Sequence, residues 1–246
     1  MGSFRLVVFL FALSACDPGV DSDVVRSGPQ ESSSSPHVVG ADASDAGSAA
    51  ASLERVVVFG TSLTAGRGLD DQSARFTNRI QAFVDSAGLP FSVVNAGVGG
   101  VTSAGGVRRI GWLLREPVSV LILELGANDG LRGLSPNAMQ DNLQAIIDST
   151  VARHPGVRLI LAGMQAPPNL GQDYVSQFQA VFVDLAREND AVLVPFLLEG
   201  VAGDPELNQA DGIHPTAEGH RRVADTVWRY LQPVLEELMV ARRARP

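Results

Sequence analysis

The sequence predicts an α/β protein, a three-layer α/β/α sandwich built around a central parallel sheet. Three features of the chain support this prediction. From residue 53 onward, short apolar runs alternate with longer amphipathic stretches. The apolar runs show little polar alternation, which is typical of parallel strands buried on both faces. Strands and helices that alternate along a chain place layers of helices on both faces of one sheet.

The predicted elements follow from these patterns. The strands are predicted at residues 55–59, 91–95, 118–125, 157–162 and 191–194. The helices are predicted at residues 74–88, 135–156, 174–191 and 216–239. Ser135 and Pro136 are suited to the N-cap and first turn of the second helix, and Thr216 to the N-cap of the last.

Charge and cysteine content exclude several functions. The chain of 246 residues has a formal net charge of -8, so no nucleic-acid partner is expected, because phosphate binding needs a basic face. All 19 cationic residues are Arg, which excludes phosphate-binding lysines, Schiff-base chemistry and Ser–Lys dyads. The single cysteine excludes an intramolecular disulfide, and the 4 histidines are scattered along the chain. We therefore predict no metal site and no cofactor.

The N-terminal residues are predicted to lie outside the folded domain. Residues 1–15 combine one early Arg, an apolar run too short to span a membrane, and small residues before Cys16, which indicates a signal peptide. The ending "LSAC" resembles the lipobox of bacterial lipoproteins. This resemblance implies that Cys16 is lipidated and anchors the protein to a membrane of the cell envelope. A soluble secreted protein is the alternative.

The remaining boundaries follow from composition. Residues 16–52 are rich in Ser, Gly, Ala, Pro and Asp, and we expect them to form a disordered linker after the lipidated cysteine. The folded domain is predicted over residues 53–240, and residues 241–246 are predicted to form a basic tail.

Four motifs carry side chains suited to acyl transfer. Ser62 in "FGTSLTAG", Gly100 in "NAGVGGVTSAGG" and Asn128 in "ELGANDGLRG" each follow a predicted strand, at the sheet edge where functional residues gather. "DGIHP", with Asp211 and His214, precedes the last helix. Together they supply a nucleophile, a histidine base, a nearby carboxylate to orient it, and two donors for an oxyanion.

In this order the motifs resemble the sequence blocks of the SGNH, or GDSL-type, hydrolase family, in its bacterial arylesterase and thioesterase/lysophospholipase branch. The resemblance runs from Arg55 to the final helix and implies a flavodoxin-like sandwich. It implies that Ser62 is the nucleophile and that Asp211 and His214 complete a catalytic triad. It also implies an oxyanion hole made by the backbone N–H groups of Ser62 and Gly100 and the side-chain amide of Asn128.

Two positions depart from the family pattern. Thr61 and Val101 stand where the family carries aspartate. Neither position belongs to the triad. The two aspartates that they replace would be expected to brace the loops around the site, so the departures should affect loop rigidity and rate and not the type of reaction. We therefore expect the reaction to survive these departures and Thr61→Asp to keep or raise activity.

The predicted function is a serine esterase that hydrolyses small to medium acyl esters through an acyl-enzyme, with thioesters and lysophospholipids as further candidate substrates. The stretches 164–174 and 195–215 either form an apolar wall for an acyl chain or are ordinary packed loops. Two other functions stay open: a carbohydrate O-acetyl esterase, and a lipid-anchored ligand-binding protein on the same fold. The glycine spacing fits neither G-x-G-x-x-G nor G-x-S-x-G, which disfavours a dinucleotide site and an α/β-hydrolase elbow.

Overall fold

A computed structural model describes residues 53–244, whose strands form a five-stranded sheet in the order β2-β1-β3-β4-β5. The strands are β1 Glu54–Gly60, β2 Phe91–Asn95, β3 Val120–Glu124, β4 Arg158–Ala162 and β5 Val192–Val194. Every neighbouring pair is parallel. This is the flavodoxin-like strand order, so the predicted sheet is confirmed. The order reverses between β1 and β3, and a crevice is expected at the carboxyl ends of these two strands.

Helices cover both faces of the sheet. They are α1 Ser62–Ala65, α2 Phe76–Ser86, α3 Ser103–Leu113, α4 Ala127–Leu131, α5 Pro136–Arg153, α6 Gln172–Glu188 and α7 Ala217–Arg243. On one face α2 packs against α7, and on the other α5 lies between α3 and α6. Short 3-10 helices occupy Gln72–Ala74 and Pro168–Leu170. The three-layer α/β/α sandwich is therefore confirmed.

The core lies between the central strands and the two helical layers. Val56, Val57 and Val58 of β1 are fully buried, and every residue of β3 is buried, including the terminal Glu124. Burial of both faces explains why these runs lack polar alternation in the sequence.

The predicted N-caps of α5 and α7 are confirmed. Ser135 Oγ accepts the N–H of Ala138 at 3.4 Å, and Thr216 Oγ1 accepts the N–H of Gly219 at 3.2 Å. α7 continues to Arg243, so the domain boundary predicted at residue 240 falls inside this helix.

The prediction missed α3. Gly105, Gly106 and Gly111 lie within this helix and lower its intrinsic propensity, which hides the helical pattern in the sequence. Gly106 has a packing reason, because a Cβ there would overlap the side chains of Leu125 and Ile146. The glycine therefore allows α3 to approach the sheet and α5 closely.

The predictions for residues 1–52, namely the signal peptide, the lipidated Cys16 and the linker, lie outside the described residues. Within residues 53–244, none of the helices combines the length and hydrophobicity needed to cross a bilayer. The same range contains no group of three or more His, Cys, Asp or Glu side chains arranged to hold a metal ion.

Candidate active site

Ser62 lies where the first strand meets a short helix. β1 ends at Gly60 and α1 begins at Ser62, so the serine stands at the carboxyl edge of the sheet. Gly60 is required because a Cβ there would overlap the Thr64 side chain and the Glu124 carboxylate. Ser62 is 9% exposed and lines a cavity, so its hydroxyl faces a confined space.

The structure brings Ser62, His214 and Asp211 together, as the sequence analysis expected. His214 Nε2 lies 2.8 Å from Ser62 Oγ, and His214 Nδ1 lies 2.6 Å from Asp211 Oδ2. When Nδ1–H donates to the carboxylate, Nε2 of the neutral ring is the nitrogen that accepts the serine proton. Hydroxyl, imidazole and carboxylate therefore form one hydrogen-bonded chain.

The Asp211 carboxylate is held by its own loop. Its Oδ1 accepts the N–H groups of Ile213 and His214, each at 3.0 Å. Gly212 between them has φ +70°, a conformation that glycine adopts without strain. The hydrogen bonds from the backbone and ring of His214, followed by that from Ile213, hold the pKa of Asp211 well below its usual value. The Asp211 carboxylate is therefore ionised at every pH at which a neutral histidine can act as a base.

Gly100 and Asn128 reach the same site from the loops after β2 and β3. Gly100 has φ +75°, and Arg132 Nη2 donates to its carbonyl oxygen at 2.9 Å, which supports the loop. Asn128 Nδ2 donates to the carbonyl oxygen of Val101 at 3.0 Å. This bond uses one of the two amide hydrogens and leaves the other for a second acceptor. Gly100 and Asn128 line the same cavity as the triad.

The cavity beside the serine has a volume of about 600 Å³. Both loop stretches singled out in the sequence, 164–174 and 195–215, contribute to its wall. Its larger apolar side chains are those of Leu63, Leu131, Met164, Phe196, Leu198 and Ile213. A largely apolar pocket of this size with a few polar groups at one end is typical of small-molecule sites.

Residues 58–222 match the model of the GDSL-like lipase/acylhydrolase family, and this match contains the whole site. The chain belongs to this family. The family prediction and the predicted enzyme class, a carboxylic ester hydrolase that acts through a serine, are confirmed.

Individual GDSL-family relatives match most of the chain. It is 40% identical over 186 residues to esterase TesA of Pseudomonas aeruginosa, which covers 75% of this chain and 91% of that protein. It is 35% identical over 188 residues to the Escherichia coli thioesterase 1/protease 1/lysophospholipase L1, covering 76% and 87% respectively. A crystal structure of TesA aligns with a TM-score of 0.70 and 39% identity, over 74% of this chain and 99% of that one.

Thr61, which replaces the aspartate of the GDSL pattern, bonds to a carboxylate from the neighbouring strand. Its hydroxyl donates to Glu124 Oε1 and its N–H to Glu124 Oε2, each at 2.8 Å. Burial raises the pKa of Glu124, while hydrogen bonds from Thr64 and Thr61 act in the opposite direction. The sequence analysis missed Glu124 because it ends an apolar run. Its position directly before "LGAND" was the available signal.

Val101, the second departure, contributes its backbone carbonyl to Asn128, and a different carboxylate braces its loop. Asp129 of α4 is 3% exposed and accepts two bonds from Ser103, the N–H at 2.8 Å and the hydroxyl at 2.6 Å. Asp129 was also missed by the sequence analysis, although it lies beside Asn128. It ties the start of α3 to α4 and so fixes the loop that carries Gly100.

Proposed function

We propose that this GDSL-family enzyme hydrolyses small to medium acyl esters through an acyl-enzyme on Ser62. The observation that carries the proposal is the 2.8 Å contact between Ser62 Oγ and His214 Nε2, with Asp211 Oδ2 2.6 Å from the other ring nitrogen. The nucleophile, the base and the orienting carboxylate lie within the hydrogen-bonding distances that acyl transfer by serine requires.

Acylation starts with attack of Ser62 Oγ on the carbonyl carbon of the ester. The serine proton passes to His214 Nε2, and the carbonyl oxygen becomes an oxyanion. The bond between the carbonyl carbon and the leaving-group oxygen then breaks. His214 returns its proton to that oxygen, which leaves as an alcohol and leaves the acyl group on Ser62. Asp211 stabilises the imidazolium formed between these two transfers.

Deacylation repeats the sequence with water as the nucleophile. His214 takes a proton from the water, whose oxygen attacks the acyl carbon, and the bond to Ser62 Oγ breaks. His214 then returns the proton to Ser62, and the carboxylic acid leaves. In both steps the oxyanion is stabilised by the N–H groups of Ser62 and Gly100 and by the amide of Asn128, three donors supplied by three separate loops.

The cavity supports an acyl-chain substrate. Its apolar lining favours burial of methylene groups at about 0.8 kcal/mol each. We therefore expect kcat/KM to rise about tenfold from p-nitrophenyl acetate to butyrate, since two methylenes are added. Phe196→Ala enlarges the pocket and should shift the acyl-chain preference, measured as kcat/KM, toward p-nitrophenyl octanoate. A flat chain-length series together with faster hydrolysis of acetylated sugars would favour the carbohydrate O-acetyl esterase alternative.

Thioesters and lysophospholipids extend the proposal, because the E. coli relative is named as a thioesterase and lysophospholipase. The same serine attack cleaves a thioester, with a thiol as the leaving group in place of the alcohol. Butyryl thioester and lysophosphatidylcholine, assayed beside p-nitrophenyl butyrate, rank the three classes by kcat/KM.

The decisive experiment is hydrolysis of p-nitrophenyl butyrate by Ser62→Ala. We expect kcat to fall at least about a thousandfold, because removing a triad serine abolishes the covalent route. Ser86→Ala, at an exposed serine that ends α2, is the matched control and should keep full activity. A wild-type protein that folds but cleaves no ester or thioester would favour the ligand-binding alternative.

We also propose that the enzyme is anchored to the cell envelope through lipidated Cys16, as the "LSAC" ending suggests. A thioether-linked and acylated cysteine would hold the catalytic domain at a membrane surface. Metabolic labelling with an alkynyl fatty acid and membrane fractionation test this for the full chain. Wild type should be labelled and sediment with membranes, and Cys16→Ser should not. An unlabelled wild-type protein in the soluble fraction would favour the secreted alternative.

A further inference from the structure

Glu124 is a buried carboxylate next to the nucleophile that the triad mechanism does not use. It is the last residue of β3, lies opposite Gly60 of β1 in the parallel register, and is 0% exposed. Its carboxylate reaches past Gly60 into the turn that carries Ser62. Gly60 has no side chain to block this approach, because a Cβ there would overlap Glu124.

Four donors from two threonines converge on this carboxylate. Thr61 gives its N–H and its hydroxyl, each at 2.8 Å, and Thr64 gives its N–H at 3.2 Å and its hydroxyl at 2.7 Å. The two oxygens of a carboxyl group together offer several acceptor sites, so one side chain can accept all four bonds. None of these bonds comes from a charged group, so the carboxylate acts as a hydrogen-bond acceptor and not as half of an ion pair.

These bonds replace a normal helix cap. At the start of a helix, the N-cap side chain usually accepts the N–H two or three residues later. Thr61 is the N-cap of α1, but its side chain makes no capping bond and donates to Glu124 instead. The Thr64 N–H, three residues on, is also bound by Glu124. The strand end therefore caps α1 from outside the helix.

The turn is also held from its other side. Asn95 Nδ2, at the end of β2, donates to the Thr64 carbonyl oxygen at 2.5 Å. Gly97 packs so closely that a Cβ there would overlap the backbone of Thr64 and Ala65. Glu124 and Asn95 thus fix Thr61 and Thr64 from the two neighbouring strands, and Ser62 lies between the two fixed residues.

We propose that Glu124 is a positioning residue for acyl transfer, which sets the placement of Ser62 Oγ and the Ser62 N–H through its four bonds to Thr61 and Thr64. The proposal rests on the proposed esterase function. Glu124 accepts hydrogen bonds from the backbone N–H groups of Thr61 and Thr64, which lie on either side of Ser62 in the chain, and the Ser62 N–H stays available for the oxyanion. A nucleophile held in this way keeps its reach to His214 through both half-reactions, and a displacement of about 1 Å from such geometry can lower the rate about a hundredfold.

Two substitutions at Glu124 disturb its four bonds to Thr61 and Thr64 in different ways. Glu124→Gln keeps the length but replaces one acceptor oxygen with a donor, and Glu124→Asp keeps the charge but lacks one methylene of reach. We expect both to lower kcat on p-nitrophenyl butyrate by about 10- to 100-fold, with KM within about twofold of wild type. The rates are measured per active site, counted with a fluorophosphonate that labels the nucleophilic serine, and below the melting temperature of each variant.

Thr64→Val offers a milder test with a matched control. It removes one hydroxyl donor and should lower kcat about tenfold, the effect of one charge-assisted hydrogen bond. Thr150→Val is the control, because Thr150 is equally buried and its hydroxyl bonds only to Ile146 within α5. It should lower the melting temperature without changing kcat per titrated site.

The proposal is overturned if the Glu124 variants lose melting temperature but keep kcat per titrated site within twofold of wild type. It is also overturned if their KM rises while kcat is unchanged, or if Thr150→Val loses as much kcat as Thr64→Val. Ser62→Ala keeps the two proposals apart. An inactive Ser62→Ala beside fully active Glu124 variants removes the positioning role and leaves the esterase function, whereas an active Ser62→Ala removes the function itself.

Discussion

The stability of this enzyme should fall in mild acid because of one buried histidine. His220 of α7 is 1% exposed, its Nδ1 accepts the N–H of Phe76 at 3.3 Å, and its ring stacks on that of Phe76. Burial, with the positive charge of Arg79 as the next cause, lowers the pKa of His220 from its ordinary 6.5 to about 4. The folded protein therefore keeps this ring neutral at pH values where the unfolded chain protonates it.

The sign and size of the effect follow from proton linkage. Between pH 6.5 and about 4 the unfolded state binds the extra proton, so the free energy of unfolding decreases as the pH falls. The full stability is present above about pH 6.5, and the loss levels off below about pH 4. With about 1.4 kcal/mol for each pKa unit, this histidine alone removes about 2 kcal/mol at pH 5 and about 3 kcal/mol at pH 4.

Urea unfolding at pH 7 and pH 5, at constant ionic strength, measures this loss in wild type and in His220→Asn. The asparagine does not titrate, and its Oδ1 can replace Nδ1 as the acceptor for the Phe76 N–H. The variant is expected to be less stable at pH 7, but its loss between pH 7 and pH 5 should be about 2 kcal/mol smaller than that of wild type. If the two proteins lose the same free energy over this interval, the burial argument for His220 is wrong.

Three further outcomes are expected. Asp211→Asn should lower kcat at least about a hundredfold with little change in KM, because the imidazolium loses its ionised partner. Steady-state kinetics measure this, and an unchanged kcat would contradict the role of Asp211. Gly111→Ala, at an unobstructed site in α3, should raise the free energy of unfolding by about 0.5–1 kcal/mol, whereas Gly106→Ala should lower it by about 1–3 kcal/mol through overpacking. Chemical denaturation measures both values, and a change of the same sign in the two variants would contradict this reasoning. Thr61→Asp should keep esterase activity but place a second carboxyl beside buried Glu124, so the pair retains a proton and the stability falls more steeply toward alkaline pH than that of wild type. Thermal melts at pH 6 and 9 measure this, and an equal loss of melting temperature in the two proteins would refute it.

Local patterns in the sequence were sufficient for most of the fold. The five strands lie where their apolar runs predicted them, because a strand buried on both faces needs apolar side chains throughout. Caps at Ser135 and Thr216 also depend only on neighbouring residues. α3 escaped prediction because its glycines lower the local helix propensity. One of them, Gly106, is explained only by a close contact with distant residues, which local propensity does not register.

The candidate site, like the fold, was predictable from the sequence in some features and not in others. The Asp211–His214 pair was predictable because three residues of chain keep a carboxylate within reach of the ring. The sequence alone also determined that a serine, two oxyanion donors and this pair follow strands or precede a helix, which brings them to one edge of a parallel sheet. Only the tertiary structure decided that Ser62 Oγ lies 2.8 Å from a ring 152 residues away. It likewise decided that Glu124, an ordinary strand end in the sequence, is buried under the nucleophile turn, because burial and hydrogen-bond partners depend on which elements pack together.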